Sequence, residues 1–291
     1  MLVQLVVLSG KGGTGKTTVA AALAHLASGE MPLVLADADV DAANLELVLD
    51  PIRQETHDFW SGRVAIIDPG ACIACGRCAE VCRFEAIIAG DPYQVDPLGC
   101  EGCATCFYQC PVEAIEMQEQ HAGRWFRSAT RFGPLFHAHL FAGRENSGKL
   151  VTTVKQQANV YALDTQASLL LIDGPPGIGC PVISASVGTD LALLVAEPTV
   201  SGAHDLERVL ATTEHFGVPA LVVINKADLN PARSDQIVAY CSERGIEVVG
   251  RIPYDTAVTE AMVAGQPVTA FADGAVSLAL REVWAGCKRH M

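Results

Sequence analysis

The chain has no apolar run approaching the ~20 residues that a helix needs to cross a bilayer, so no membrane insertion is expected. Its first residues, MLVQLVVLSGKGGTGKTT, carry no basic leader, and glycines rather than a small-residue cleavage site follow the apolar stretch, so they do not read as a signal peptide. Positive charge is scarce: 20 Lys+Arg stand against 33 Asp+Glu, a net of −13, which argues against a nucleic-acid role driven by bulk basic charge. Half of the 291 residues are apolar, however, which excludes a disordered chain. At roughly 150 residues per domain the length allows about two domains, one with a full-sized core. Cysteine is abundant, with 11 residues, eight of them between Cys72 and Cys110. The expected location is the cytoplasm, where thiols stay reduced and clustered cysteines bind metal rather than pair.

Short apolar runs at Leu2–Leu8, Leu33–Ala36, Leu169–Ile172, Leu191–Val195 and Leu221–Ile224 read as buried strands. Helical stretches lie among them at Thr17–Ala27, Ala203–Phe216 and Ser234–Arg244. That alternation predicts an α/β fold, a mostly parallel sheet with helices on both faces. Between Gly62 and Gln118 the texture changes to Cys, Gly and Pro, with eight acidic and three basic residues. We read 62–118 as a small α+β domain inserted into an α/β domain made of 1–61 and 119–291, with Arg124–Lys149 as an irregular return segment. Cys72–Ile87 and Cys100–Ile115 repeat one cysteine pattern, and each ends in Glu-Ala-Ile.

Gly10-Lys11-Gly12-Gly13-Thr14-Gly15-Lys16-Thr17 matches G-x-x-x-x-G-K-[ST] between a predicted strand and a predicted helix. Backbone N–H groups of such a loop, with Thr18 following it, surround phosphate oxygens. Lys16 would reach the β- and γ-phosphates, and the Thr17 hydroxyl would ligate Mg²⁺. With Lys11 in the loop, the sequence resembles the deviant Walker A of the MinD/ParA/Mrp (SIMIBI-class) P-loop ATPases. The resemblance implies a nucleotide-sandwich dimer, either a homodimer or a heterodimer with a related ATPase, in which Lys11 reaches the partner's phosphates. Asp37-Ala38-Asp39 is similar to that family's switch I, which implies that Asp39 orients the attacking water and Asp37 lies near Mg²⁺. Asp173 in Leu169–Gly177 resembles the Walker B aspartate near the same ion. Asn225, in Asn225-Lys226-Ala227-Asp228, ends another strand and could read adenine, although the NKxD pattern also suits guanine through Asp228. Arg251–Tyr254 resembles a later base-lining segment, with a plain turn as the other reading.

The cysteines fall as Cys72-x2-Cys75-x2-Cys78-x3-Cys82 and Cys100-x2-Cys103-x2-Cys106-x3-Cys110-Pro111. Two copies of C-x2-C-x2-C-x3-C match the spacing of bacterial ferredoxins with two [4Fe–4S] clusters. In that pattern the fourth cysteine crosses over, which implies one cluster on Cys72, Cys75, Cys78 and Cys110 and another on Cys82, Cys100, Cys103 and Cys106. Zinc is the alternative, but closed zinc sites need only C-x2-C pairs. Arg83 replaces the proline usual after the fourth cysteine.

The whole chain thus resembles a MinD-type ATPase carrying a ferredoxin domain. The cofactors implied are ATP, Mg²⁺ and two [4Fe–4S] clusters. The leading expectation is an ATPase that assembles or delivers an iron–sulfur or metal cofactor. An ATP-gated electron carrier is the alternative, followed by a MinD- or ParA-like switch with redox-sensing clusters. The expected partner is a redox or cluster-acceptor protein with a basic docking face, and no nucleic acid. Of the remaining features, Cys180 reads as a buried hydrophobe or a residue at a dimer seam. His137-Ala138-His139 reads as a structural pair or a metal chelate, and Glu145–Lys149 as a capped turn. Ser277–His290 reads as a docked terminal helix rather than a membrane-targeting tail.

Overall fold

The computed structural model describes residues 1–143 and 146–291. In chain order the elements are β1 Val3–Ser9, α1 Lys16–Ser28, β2 Leu33–Asp37, α2 Leu45–Leu49, β3 Ile52–Ile67, α3 Arg77–Val81, β4 Ile87–Ile88, β5 Gln94–Val95, α4 Thr105–Gln109 and β6 Ile115–Ala129. There follow β7 Pro134–Leu140, α5 Ser147–Asp164, β8 Leu169–Pro176, α6 Cys180–Ser186, β9 Leu191–Ala196 and α7 Val200–His215. The chain ends with β10 Ala220–Asn225, α8 Pro231–Glu243, β11 Val248–Ile252, α9 Ala257–Val263, α10 Val268–Phe271 and α11 Ala275–Lys288.

Among the described residues these strands form a nine-stranded sheet in the order β11-β10-β9-β1-β8-β2-β7-β6-β3, with β4-β5 as a separate pair. The ladders from β11 through β7 are all parallel. Their strands are apolar at successive positions because both faces are covered. Leu5, Val7, Leu35, Leu171, Leu193 and Val223 point to one face, where α1 and α11 complete the core. The alternate residues Val6, Leu8, Val34, Leu170 and Ile172 are equally buried, and α5, α6 and α7 pack on β1, β2, β8 and β9. Alanine dominates α1 because that helix is buried from Val19 to Ala24 between the sheet and α10 and α11, leaving little room for larger side chains. The C-terminal α11 is docked: Val276, Leu280, Val283, Trp284 and Cys287 are buried, and Lys288 pairs with Glu30.

The chain divides into two compact units, Met1–His57 with Trp125–His139 and Ser147–Met291, and Asp58–Arg124 with Leu140–Asn146. The stretch Arg124–Lys149 is not the irregular segment expected from its composition. It holds the end of β6, all of β7 and the start of α5. Phe126 and Ser128 alternate inward along β6, and Leu135–Ala138 are buried in β7, so the interspersed His and Arg residues hid a sheet periodicity. Glu145, read as part of a capped turn, lies outside the described residues.

Candidate functional site

β1 lies between β8 and β9, so its C-terminal end carries the glycine loop to the rim of the sheet, the position where open α/β sheets bind ligands. Two glycines there have specific reasons. A Cβ on Gly15, which has φ +89°, would come within 2.2 Å of Asn225 Nδ2. A Cβ on Gly10 would stand 2.4 Å from Asp205 Cβ and 2.6 Å from the Asp205 carbonyl oxygen. The loop therefore passes too close to its neighbours for any side chain at either point.

Lys16 opens α1 and is buried, with Nζ 2.9 Å from Asp173 Oδ1 and 3.7 Å from Asp39 Oδ2. Asp37, the last residue of β2, sits opposite Asp173 in β8. Burial pulls the Lys16 ammonium down, but Asp173, Asp39 and Asp37 outweigh it and hold its pKa above the ordinary value. Burial, reinforced by the charge of Asp173, pushes Asp37 up to about 8 against the opposing pull of Lys16. Asp39 is also raised, chiefly by burial. Asp37 further organises the loop after β2, since Oδ1 accepts from Asp39 N at 3.1 Å and Oδ2 from Leu45 N at 3.0 Å. Asp173 Oδ2 and Thr14 Oγ1 are buried with no hydrogen-bond partner. Such orphaned polar atoms beside a phosphate-type loop suit a ligand rich in oxygen, and the oxygen donors of Thr17, Asp37 and Asp173 suit Mg²⁺. Thr17 and Thr18 are both half-buried in the first turn of α1.

Lys11 leaves the loop toward Glu197, with Nζ 3.2 Å from Oε2, and reaches Ser201 Oγ at 3.3 Å. Lys226 Nζ stands 2.6 Å from the other Glu197 oxygen and 3.4 Å from the Gly13 carbonyl. Despite its partial burial, the two ammonium groups hold Glu197 below its ordinary pKa. Glu197 and Lys226 were not singled out from the sequence. The available signal was an acid directly after the wholly buried β9.

Asn225 donates from Nδ2 to the Thr14 carbonyl at 2.7 Å and accepts at Oδ1 from Lys226 N at 3.0 Å, so its carboxamide ties β10 to the phosphate loop. Asp228 Oδ1 accepts from Tyr254 N at 2.6 Å, which links the NKxD stretch to the end of Arg251–Tyr254. Cys180 is exposed at the start of α6, next to Gly148 at the start of α5.

In the second unit the repeat is visible in the backbone. Cys72 N donates to Asp68 O at 3.0 Å and Cys100 N to Asp96 O at 3.1 Å. The exchange is reciprocal between halves, with Asp68 N donating to Ala114 O and Asp96 N to Ala86 O, both at 2.8 Å. Positive φ recurs at the matching positions Ala74 and Gly102, Gly76 and Ala104, and Glu85 and Glu113. Burial repeats as well, since Cys78 and Cys106 are buried while Cys75 and Cys103 are exposed. Burial raises the thiol pKa of Cys78 and Cys106, whereas the Thr105 hydroxyl lowers that of Cys103.

All eleven cysteines are free thiols. Cys72, Cys75, Cys78 and Cys110 line one small cavity, with Ile67, Ala114 and Ile115 among the apolar walls. Cys82, Cys100, Cys103 and Cys106 line a second of similar size, walled also by Ala65, Ala86 and Met117. Each cavity thus draws three cysteines from one run and one from the other. Four soft sulfur donors around a small apolar space are a donor set suited to an iron–sulfur cluster or zinc.

A glycine loop at the end of a central parallel strand, a buried lysine at the helix start and paired aspartates on the adjacent strands β2 and β8 define a P-loop nucleotide-binding protein of the α/β class. Residues 5–268 match the family model described as the CobQ/CobB/MinD/ParA nucleotide binding domain, and the chain belongs to that family. It is 39% identical over 230 residues to the uncharacterized protein MJ0578 of Methanocaldococcus jannaschii, covering 79% of this chain and 80% of that one. It is 23% identical over 297 residues to an iron-sulfur cluster carrier protein of Pyrococcus abyssi, covering 96% and 83%. Its fold is similar to that of the septum site-determining protein MinD complexed with Mg-ADP from Pyrococcus horikoshii, with a TM-score of 0.60, 18% identity and coverage of 99% and 97%. Family and relatives support ATPase activity for this chain. No described helix is long and apolar enough to cross a membrane.

Proposed function

We propose that the chain is an ATP-hydrolysing iron–sulfur protein in which nucleotide state governs two [4Fe–4S] clusters, used to assemble or deliver a cluster or metal cofactor. The observation that carries the reading is the sorting of eight thiols into two four-cysteine cavities, each with one cysteine crossed over from the other run. When bound, such clusters supply one-electron redox capacity and a source of iron and sulfide. The second unit is then a ferredoxin-like domain, and the chain's similarity to an iron-sulfur cluster carrier agrees with that use.

In the first unit the proposed roles follow from charge. The Lys16 ammonium exchanges its contact with Asp173 for the β- and γ-phosphate oxygens, which frees that carboxylate to face Mg²⁺ together with Thr17 and Asp37. Asp39 orients a water for in-line attack on the γ-phosphorus. As the bond to the ADP oxygen breaks, Lys11 of a partner copy neutralises the developing charge. Hydrolysis then depends on dimerisation, and Lys11 must release Glu197 to act across the dimer.

Exposed Cys75 and Cys103 bring one cysteine of each four-cysteine set to the surface of the unit, which also suits a second reading, ATP-gated electron transfer to a docked protein. Incubation with ATP and an apo-acceptor separates the two. Delivery predicts ATP-dependent transfer of iron and sulfide to the acceptor. Retention of both clusters through repeated turnover, with cycling EPR signals, would overturn delivery in favour of electron transfer.

A further inference from the structure

We propose that Glu46, His137 and His139 form a binding site for a divalent transition-metal cation of the zinc class, built wholly within the first unit. Strand alternation puts His137 and His139, two residues apart on β7, on one face, and α2 brings Glu46 to them. Glu46 Oε2 lies 3.2 Å from His137 Nδ1, and Oε1 lies 3.4 Å from His139 Nε2. One ligand atom from each residue can be chosen so that all three lie within 4.8 Å of one another. A tetrahedral site with bonds of roughly 2.0–2.1 Å has donor-to-donor edges of about 3.3 Å. Each contact matches such an edge but through a different carboxylate oxygen, so Glu46 has to rotate to present one oxygen to both rings.

The independent observation is the state of His137. Its side chain is 1% exposed, yet Nδ1 makes no well-aligned hydrogen bond, its polar neighbour being Glu46 Oε2 at 3.2 Å. The other nitrogen, Nε2, is 2.8 Å from Ser128 Oγ. With Nε2–H donating to that hydroxyl, Nδ1 presents a lone pair toward Glu46 and His139. Metal-binding histidines are held in this way, one nitrogen toward the ion and the other anchored by a hydrogen bond. Phe126 packs against both rings, at 5.1 Å from His137 and 5.6 Å from His139, and limits their rotation.

Two imidazoles and one carboxylate suit Zn²⁺, Co²⁺ or Ni²⁺, whereas Mg²⁺ and Ca²⁺ take oxygen ligands. Three protein ligands leave a fourth position for water, on the side where His139 is 45% exposed. Glu46 adjoins Leu45, whose N–H donates to Asp37 Oδ2. A cation here would therefore restrain α2 and the loop that carries Asp37 and Asp39.

The test is a Zn²⁺ titration of the full chain after anaerobic iron and sulfide loading, by calorimetry against a competing chelator and by metal analysis after desalting. Wild type is compared with His139→Gln and Glu46→Gln, since His137 is too buried to replace without risk to folding. Wild type should take up one equivalent of zinc that both variants lack or bind at least about 100-fold more weakly, with iron content equal in all three. Equal zinc uptake and affinity in the three proteins would overturn the site and leave a plain Glu–His contact. Zinc held by cysteines would be common to all three, so the difference between them still decides.

Discussion

In the first unit the side chains around the glycine loop stand at the rim of an apolar sheet core, while in the second the cysteines are themselves much of the core. Leu5, Leu23, Leu35, Leu171 and Leu280 are sealed whether or not Lys16 meets a phosphate. Among the described residues, the cluster at the centre of the second unit is small, Ala65, Ile67, Cys78, Cys106 and Ile115, with Cys72, Cys100 and Cys110 packed against it. A core that small is marginal without a staple. If metal fills the cysteine cavities, it is a structural part of the second unit, whereas nucleotide is a guest of the first.

The largest effect should come from stripping metal. Under anaerobic reducing conditions, a strong iron chelator should abolish amide-exchange protection across 65–117 while β1, β8 and β9 stay protected, because metal binding and folding are coupled in such a site. Equal loss in both units would break the contrast. Next, Lys16→Ala should abolish ATP binding in equilibrium dialysis. It should also destabilise the first unit by about 3–5 kcal/mol, since Asp173, Asp39 and Asp37 lose their buried counter-charge. Iron content should stay unchanged. Lys11→Ala should leave ATP binding measurable while slowing hydrolysis at least about 100-fold in a phosphate-release assay. Normal turnover would refute the cross-dimer role.

A smaller effect concerns a charge inside the first unit. Burial lowers Lys155 to about 8 from an ordinary 10.5, and Nζ donates to the Ala185 and Val187 carbonyls. Between those two values the unfolded chain holds more protons than the folded one. Stability should therefore rise with pH from about 8 to about 10.5, by at most about 1.4 kcal/mol per pH unit. Lys155→Met should flatten that rise in denaturant titrations across the range. Smallest of all, Asp228→Ala should leave the preference for ATP over GTP within about twofold, because the Asp228 carboxylate is engaged with Tyr254 N. Stability should fall by only about 1 kcal/mol.

Much of the first unit was legible because its strands are fully apolar and its glycine loop stands between β1 and α1 in the expected order. The three longest departures have a common cause. Along β3, Ile52–Phe59 reads Ile-Arg-Gln-Glu-Thr-His-Asp-Phe, and only Phe59 is buried there, so no apolar alternation marks the strand. β6 and β7 likewise interleave His and Arg with their inward residues. At the candidate nucleotide site, Lys16, Asp39 and Asp173 were named from pattern and converge in space. Glu197 was missed because its role depends on Lys11 and Lys226, which are remote from it in sequence. The cysteine spacing was the clearest signal, since covalent chemistry fixes ligand geometry more tightly than packing fixes an edge strand.

The two four-cysteine cavities are proposed to hold [4Fe–4S] clusters in a chain that also binds ATP. The most direct measurement is anaerobic iron and acid-labile sulfide analysis of the purified full chain, with zinc measured in the same sample. About eight iron and eight sulfide per chain are predicted, with zinc well below the iron. Two zinc per chain held by the cysteines, with little iron or sulfide, would contradict it.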